Sequence, residues 1–579
     1  MKKRKLVSYL SVAMGSMMLL GGCGNAEASS SSDGSSSTAS SENSAVDGYV
    51  AATDPSKNVQ TALNRSDTLI IGIDAPDGVF NPLYCESQYD RYIVDSVFEG
   101  LLSVDESGLP IESMVESYSV SEDSLVYKFT LKQDLKFSDG SPLTTEDVAF
   151  TYTIACDSSY DGPVDLVNGT KLKGAKAYKE GTATSVEGIN VIDDRNIEFT
   201  LEEVNAAAIY DFTNKNVSIL SKAHYGTEYT QGNLDYIKNY HANPLGSGAY
   251  SFVSNKSGQE TTLVANENYF KGTPNIKNII YKVTSEETRI QMLKTGEIDM
   301  DMVTVNEDNV QTILDAEFLD SHIFPTNGYG YIGFNVTDEK FADVKVRQAL
   351  TYGLNREEIV EAAFTGGYAD VINVPQSKES WAYTPGENDY EYNLEKAAEL
   401  LDEAGWAVGS DGIREKDGEK FTIKFTAATP NSVNEAIIPI AQANYNDLGI
   451  KFEAEQMDFN AVREKVNNGT ASMFFMAWSL TPDPDSTNLF GTNGSQNRLG
   501  YSNEKVDELL LKGLQTTDID ERTEVYHELY NELNEDLPYM FLYQRKDMWA
   551  INSRVKGFEN NITAYKEFTA SLSELTLES

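Results

Sequence analysis

Two carboxylates stand close together in Thr481-Pro482-Asp483-Pro484-Asp485. Paired acids are the raw material of glycoside hydrolysis, which needs both carboxyls facing one cleft. A proline-stiffened loop gives nearness in sequence without that facing. It also lacks the glycine and closing acid of a calcium-binding EF-hand loop, so a plain loop is the simpler reading. Gly328-Tyr329-Gly330-Tyr331-Ile332-Gly333 has the spacing that lets a strand-to-helix turn hold a pyrophosphate. Here the segment is itself aromatic and strand-like, and it runs into Phe334-Asn335-Val336-Thr337 rather than into a helix. It reads as a strand with close backbone packing. Cys85 and Cys156 read as small buried or loop residues rather than a bridge or a nucleophile. Four histidines (His224, His241, His322, His527) are too few for a His-rich metal site. No phosphate-binding P-loop, H-E-x-x-H or G-x-S-x-G pattern occurs. The expectation is a protein without catalytic residues, metal or cofactor. A surface hydrolase lacking short motifs is the distant alternative.

The bulk numbers narrow the partners. The 579 residues carry 46 basic and 90 acidic side chains, a net charge of −44. Phosphate-backbone readers concentrate positive charge, so nucleic acid is excluded as a partner. The 40% hydrophobic and 10% aromatic content suffices for a large core. At the N-terminus Lys2, Lys3, Arg4 and Lys5 precede an apolar run of about 15 residues, Leu6 to Leu20. That is short for a membrane span but suits a signal peptide. Leu20-Gly21-Gly22-Cys23 resembles a lipobox, with residues 1–22 removed and Cys23 lipidated. Two or more acyl chains anchor stably where one does not. Residues 28–44 hold ten serines and no large apolar side chain. Nothing there offsets the entropy of ordering, so residues 23–65 read as the lipidated cysteine and a flexible tether.

After residue 66 no apolar run approaches a membrane span. Leu125–Leu131, Ile197–Leu201 and Phe421–Phe425 alternate with period two, as half-buried strands do. Asp343 caps a run with Val346, Ala349, Leu350 and Leu354 on one face. Asn355 precedes Glu358 at capping-box spacing, and Gly366-Gly367 stops that run. Asn393 opens a run with Leu394, Ala397, Leu400, Leu401 and Ala404, closed by Gly405. The body is mixed α and β, with no fixed internal repeat.

A series of segments in fixed order adds to this reading. It begins Phe80-Asn81-Pro82-Leu83-Tyr84, Val97-Phe98-Glu99-Gly100-Leu101-Leu102, Val115-Glu116-Ser117-Tyr118 and Phe137-Ser138-Asp139-Gly140 through Val148. It continues with Leu245-Gly246-Ser247-Gly248-Ala249-Tyr250, Ala265-Asn266-Glu267-Asn268-Tyr269-Phe270 and Lys294-Thr295-Gly296-Glu297-Ile298-Asp299. Gly333-Phe334-Asn335, Val346-Arg347-Gln348-Ala349-Leu350, Glu403-Ala404-Gly405-Trp406, Trp478 and Asp483-Pro484-Asp485 complete it. Over about residues 68–560 the chain resembles the oligopeptide/dipeptide-binding family (family 5) of ABC-transporter solute-binding proteins.

The resemblance implies an α/β, two-lobed, hinged periplasmic-binding-protein-like fold (class II, cluster C type) with an extra α+β domain in lobe I. Lobe I would combine 66–102, 242–326 and 540–579, the extra domain 103–241, and lobe II 327–539. The chain would cross between lobes near Gly328–Asn335 and Pro538–Tyr543. The implied ligand contacts are the lobe I loop Tyr84, Cys85, Glu86, Ser87 and Gln88, and the lobe II strand Ala477, Trp478, Ser479, Leu480 and Thr481. Tyr329 and Tyr543 sit at the crossovers. Family members often carry Asp three residues after the Trp, pairing with a ligand ammonium. Here that position is Thr481, which leaves two alternatives: Asp483, Asp485 or Glu86 substitutes, or the protein does not grip a free N-terminus at all. The implied partners are a peptide ligand and an ABC permease with its ATPases, the protein being a monomer lipid-anchored on the outer face of a Gram-positive cell membrane. A narrow signalling-peptide receptor, or a binder of an oligosaccharide or nickel complex, is the alternative.

Overall fold

The structure is a computed structural model and describes residues 48–558 and 562–578. The leader and Cys23 lie outside the described residues. Apolar Leu69, Ile71 and Ile73 alternate along the strand Thr68–Ile73, which is central to the first lobe. It pairs in parallel with Asn278–Val283 on one side and Met300–Val303 on the other. Parallel neighbours need a crossover, and the helix Arg289–Thr295 supplies one. The antiparallel strands Glu260–Ala265 and Tyr250–Lys256 extend the sheet outwards. On the inner side Met300–Val303 pairs with the 14-residue strand Tyr539–Asn552.

That long strand belongs to both lobes. Its second half pairs with Leu319–Pro325 in the first lobe, and its first half with Gly328–Phe334 in the second. Gly328–Phe334 in turn pairs with Met473–Ser479, followed by Thr422–Ala428 and Lys451–Met457. One 13-stranded sheet thus runs through the described chain. At the crossing, Thr326 N–H donates to the Arg545 carbonyl (3.0 Å) and Gln544 Nε2 to the Thr326 carbonyl (2.8 Å).

Four hydrophobic clusters cover the faces of this sheet. Leu69, Phe98, Tyr250 and Trp549 fall in one, and Leu293, Ile313, Ile323 and Met548 in another, on opposite faces of the first lobe. Phe334, Leu350, Phe425 and Leu542 form a third, and Tyr331, Val506, Tyr526 and Phe541 a fourth, in the second lobe. A separate four-stranded antiparallel sheet, Val115–Val120, Val126–Leu131, Asn196–Thr200 and Ile189–Val191, lies within the interval 103–241. Its Phe129 and Phe199 join the same core cluster as Leu69, so apolar packing continues across the expected domain edges.

The predicted local signals hold. Asp343 caps Val344–Tyr352, Asn355 caps Arg356–Ala363 and Asn393 caps Leu394–Glu403. Gly328–Phe334 is a fully buried strand, and a Cβ at Gly330 would stand 2.3 Å from the Tyr543 ring. The tether boundary needs correction, because residues 48–65 are structured. Gly48–Val50 pairs with Leu319–Pro325, and Gln60–Leu63 is a helical turn. Tyr49 Oη and Ala52 N–H donate to Asp320 (both 2.7 Å). Arg65 donates to Asp299 (2.8 Å), which Arg554 grips through Nε and Nη2 at 2.8 and 3.0 Å. Among the described residues no helix is long and apolar enough to cross a membrane.

Candidate ligand-binding site

The loop of the first lobe is built to be rigid. Asn81 Oδ1 caps the turn Pro82–Tyr84, and Ser87 Oγ caps the helix Gln88–Val97. Between these caps the loop's carbonyls are held from outside. Tyr160 Oη donates to the Leu83 carbonyl (2.5 Å), and Asn216 Nδ2 to those of Pro82 (2.9 Å) and Cys85 (2.8 Å). Tyr84 packs between the rings of Tyr160 and His241, at 5.4 and 5.1 Å. Cys85 is buried, and burial pushes its thiol up to about 12, so it remains protonated at neutral pH. Glu86 and Gln88 are exposed and Ser87 half-buried. Of the five expected contacts in this loop, Glu86 and Gln88 present side chains to solvent, Ser87 Oγ caps the helix, and Tyr84 and Cys85 serve the packing. Gln88 Nε2 also donates to Glu567 Oε1 (3.3 Å).

In the second lobe, the strand Met473–Ser479 has one satisfied and one open side. Leu480 N–H donates to the Asn327 carbonyl (2.9 Å) and Asn335 N–H to the Ser472 carbonyl (3.0 Å). These bonds fix the alternation of the antiparallel pair. Phe474, Met476 and Trp478 bond inwards to Gly328–Phe334, and Phe475, Ala477 and Ser479 turn their peptide groups outwards. On that outer side, among the described residues, the strand pairs only at Met473 and Phe474, opposite Phe425 and Thr426. The backbone of Ala477 and Ser479 is therefore an unpaired edge, and both residues are exposed. Trp478, half-buried, stacks on Tyr331 at 6.2 Å and 6°, and Tyr331 on Tyr539 at 4.0 Å. Leu480 is half-buried and Thr481 exposed.

Three residues expected to touch ligand are packed inside instead. Tyr329 and Tyr543 lie on strands of the central sheet covered on both faces, so their rings fill core space. Tyr329 packs on Phe541 at 6.1 Å, and Tyr543 on Phe364 at 4.7 Å. Asp483 is buried and accepts from Arg522 Nη1 (2.7 Å) and Nη2 (3.0 Å). It is already neutralised and offers no charge to a ligand ammonium. Nor is Asp485 idle, since its Oδ1 accepts from the Thr487 N–H (3.1 Å) and hydroxyl (2.6 Å). Of the expected substitute acids, Asp483 is thus engaged by Arg522 of the helix Ile519–Asp536 and Asp485 within its own loop, while Glu86 is exposed.

Sequence reasoning missed the contacts between lobes. Trp381 Nε1 donates to Tyr210 Oη (3.2 Å), and Ala206 N–H to the Leu514 carbonyl (2.7 Å). Their only sequence signal is that Trp381 is one of four tryptophans. Among the described residues no group of three His, Cys, Asp or Glu is arranged to hold a metal ion.

Comparison with known proteins places this geometry. The model of the bacterial extracellular solute-binding proteins, family 5 (middle), matches residues 110–499. The oligopeptide-binding protein AppA of Bacillus subtilis is 28% identical over 508 residues, covering 85% of this chain and 88% of that protein. Heme-binding protein A of Haemophilus influenzae is 26% identical over 516 residues, covering 85% and 90%. The solved structure of the Bacillus subtilis AppA with a nonapeptide aligns at a TM-score of 0.69 and 27% identity, covering 89% of this chain and 99% of that one.

Proposed function

The chain belongs to the bacterial extracellular solute-binding proteins of family 5, and from that premise we propose a lipid-anchored peptide receptor. It captures short peptides between its lobes at the outer face of the cell membrane. It hands them to an ABC importer whose permease and ATPases are separate chains. The observation that carries this reading is the unpaired edge at Ala477 and Ser479. An extended peptide adds to such an edge as a further strand and is gripped by its main chain. Each net hydrogen bond contributes about 0.5–1.5 kcal/mol, so several give affinity without reading side chains. The engagement of Asp483 by Arg522 fits the same picture. Affinity here comes from the peptide backbone more than from a fixed counter-charge for a free N-terminus. The named ligands of the relatives, an oligopeptide and heme, bracket the chemistry to be tested.

The test is mass spectrometry of small molecules released by denaturing purified protein that begins at residue 48. The expected result is a heterogeneous set of short peptides. A single peptide would replace the importer with a narrow signalling receptor, and a porphyrin, glycan or metal complex would replace the peptide reading altogether.

A further inference from the structure

Trp381 packs against the core of the second lobe. Its hydrogen-bond partner Tyr210 lies in the helix Ala208–Asp211, whose flanking Ala208 and Phe212 belong to the core of the first. The bond is 3.2 Å long and joins residues 171 apart in sequence. The Trp381 ring is itself held in place. Arg522 lies 5.5 Å from its centre and 5.3 Å from that of Tyr526. Arg522 is 3% exposed, anchored by both oxygens of Asp483 and by the Gly513 carbonyl (2.9 Å). The Asp483 carbonyl accepts from Thr481 Oγ1 (3.0 Å), so this assembly begins where the open strand edge ends. Two further links between lobes stand nearby: Ala206 N–H to the Leu514 carbonyl (2.7 Å), and the hydroxyls of Ser124 and Thr517 (3.3 Å).

We propose that Trp381 and Tyr210 form a closing latch between the lobes, and that Asp483 and Arg522 are positioning residues that hold the Trp381 ring for it. The ion pair keeps Arg522 from turning to water, and the guanidinium over the indole fixes the ring plane. When the lobes separate, the indole N–H and the phenol lose one another, so the bond favours only the closed state. A ligand that requires closure then binds more tightly by whatever the latch contributes. Only the affinity readout of this inference rests on the peptide reading. Its conformational readout does not.

The test uses the full mature chain carrying Trp381→Phe, Tyr210→Phe or both. An equimolar pool of synthetic heptapeptides is titrated, and X-ray scattering is recorded without peptide. Each single substitution should raise the half-saturating concentration about two- to tenfold, the reach of one hydrogen bond. The double variant should be no weaker than the weaker single, because both remove the same bond. Asp483→Asn should shift affinity in the same direction while the strand edge is untouched. Unchanged half-saturation in both singles, or effects that add in the double, would overturn the latch. If the pool does not bind the parent protein, the peptide reading falls and scattering alone decides. A larger radius of gyration in either variant then upholds the latch, and radii equal to the parent's overturn it.

Discussion

Asp301 shows how one buried acid sets a pH dependence. It is 1% exposed and accepts from Thr284 Oγ1 (2.8 Å). Burial pushes its carboxyl up to about 7, against the opposing pull of Arg289. A carboxyl raised on folding holds its proton more tightly in the folded chain than in the unfolded one. Stability from this group therefore grows as pH falls from about 7 towards 4, and is lost as pH rises through that window. From 3.8 to about 7, at about 1.36 kcal/mol per unit, the swing is on the order of 4 kcal/mol. Asp301→Asn should remove that slope, measured as urea unfolding free energies of both proteins between pH 4 and 8. Taking the difference isolates Asp301 from His224 and His241, whose burial holds them below the usual range and works in the opposite sense. An Asn variant with the parent's slope would show that Asp301 ionises freely.

The strand Met473–Ser479 offers a contrast within one element. Proline removes an N–H, which an unpaired edge tolerates and a ladder does not. Ala477→Pro should leave the far-UV circular dichroism unchanged yet weaken peptide binding at least tenfold. Trp478→Pro removes an inward bond and should lower the unfolding midpoint. Equal peptide affinity in Ala477→Pro would show that the edge is not where ligand lies. How far such elements can be read from sequence depends on the distance between partners. The Asn355 cap was legible because its bond to the Glu358 N–H (3.1 Å) spans three residues. The close-packed strand at Gly328–Phe334 was legible from its glycines and rings. Gly48–Val50 was not, being three residues long with its partner strand some 271 residues away. The roles of Tyr329, Tyr543 and Asp483 were hidden for the same reason. Strand alternation does not say that both faces are covered, and nothing near Asp483 points to Arg522, 39 positions on.

For the whole molecule, an early and a late segment of the described chain meet at Asp299. This fully buried carboxylate is bound by Arg65 from the N-terminal segment and by Arg554 from the turn that follows the strand Tyr539–Asn552. Without Arg65 the carboxylate keeps Arg554, so the loss is that of one hydrogen bond to a charged group, about 1.5–3 kcal/mol. A protein beginning at residue 66 should therefore unfold at lower urea than one beginning at residue 48, by a free-energy difference of about that size. Equal midpoints would show that residues 48–65 add nothing to the body. The crossing of the lobes carries a mechanical consequence. Thr326, Gln544 and Arg545 stitch the passing strands together where they change lobes. Laced strands behave as a leaf spring, compliant to bending and twist but stiff to sliding within their plane. Such stitching favours bending of one lobe about the crossing over sliding of one lobe past the other. Bending there moves atoms far from the crossing more than atoms beside it, as the free end of any leaf spring travels furthest.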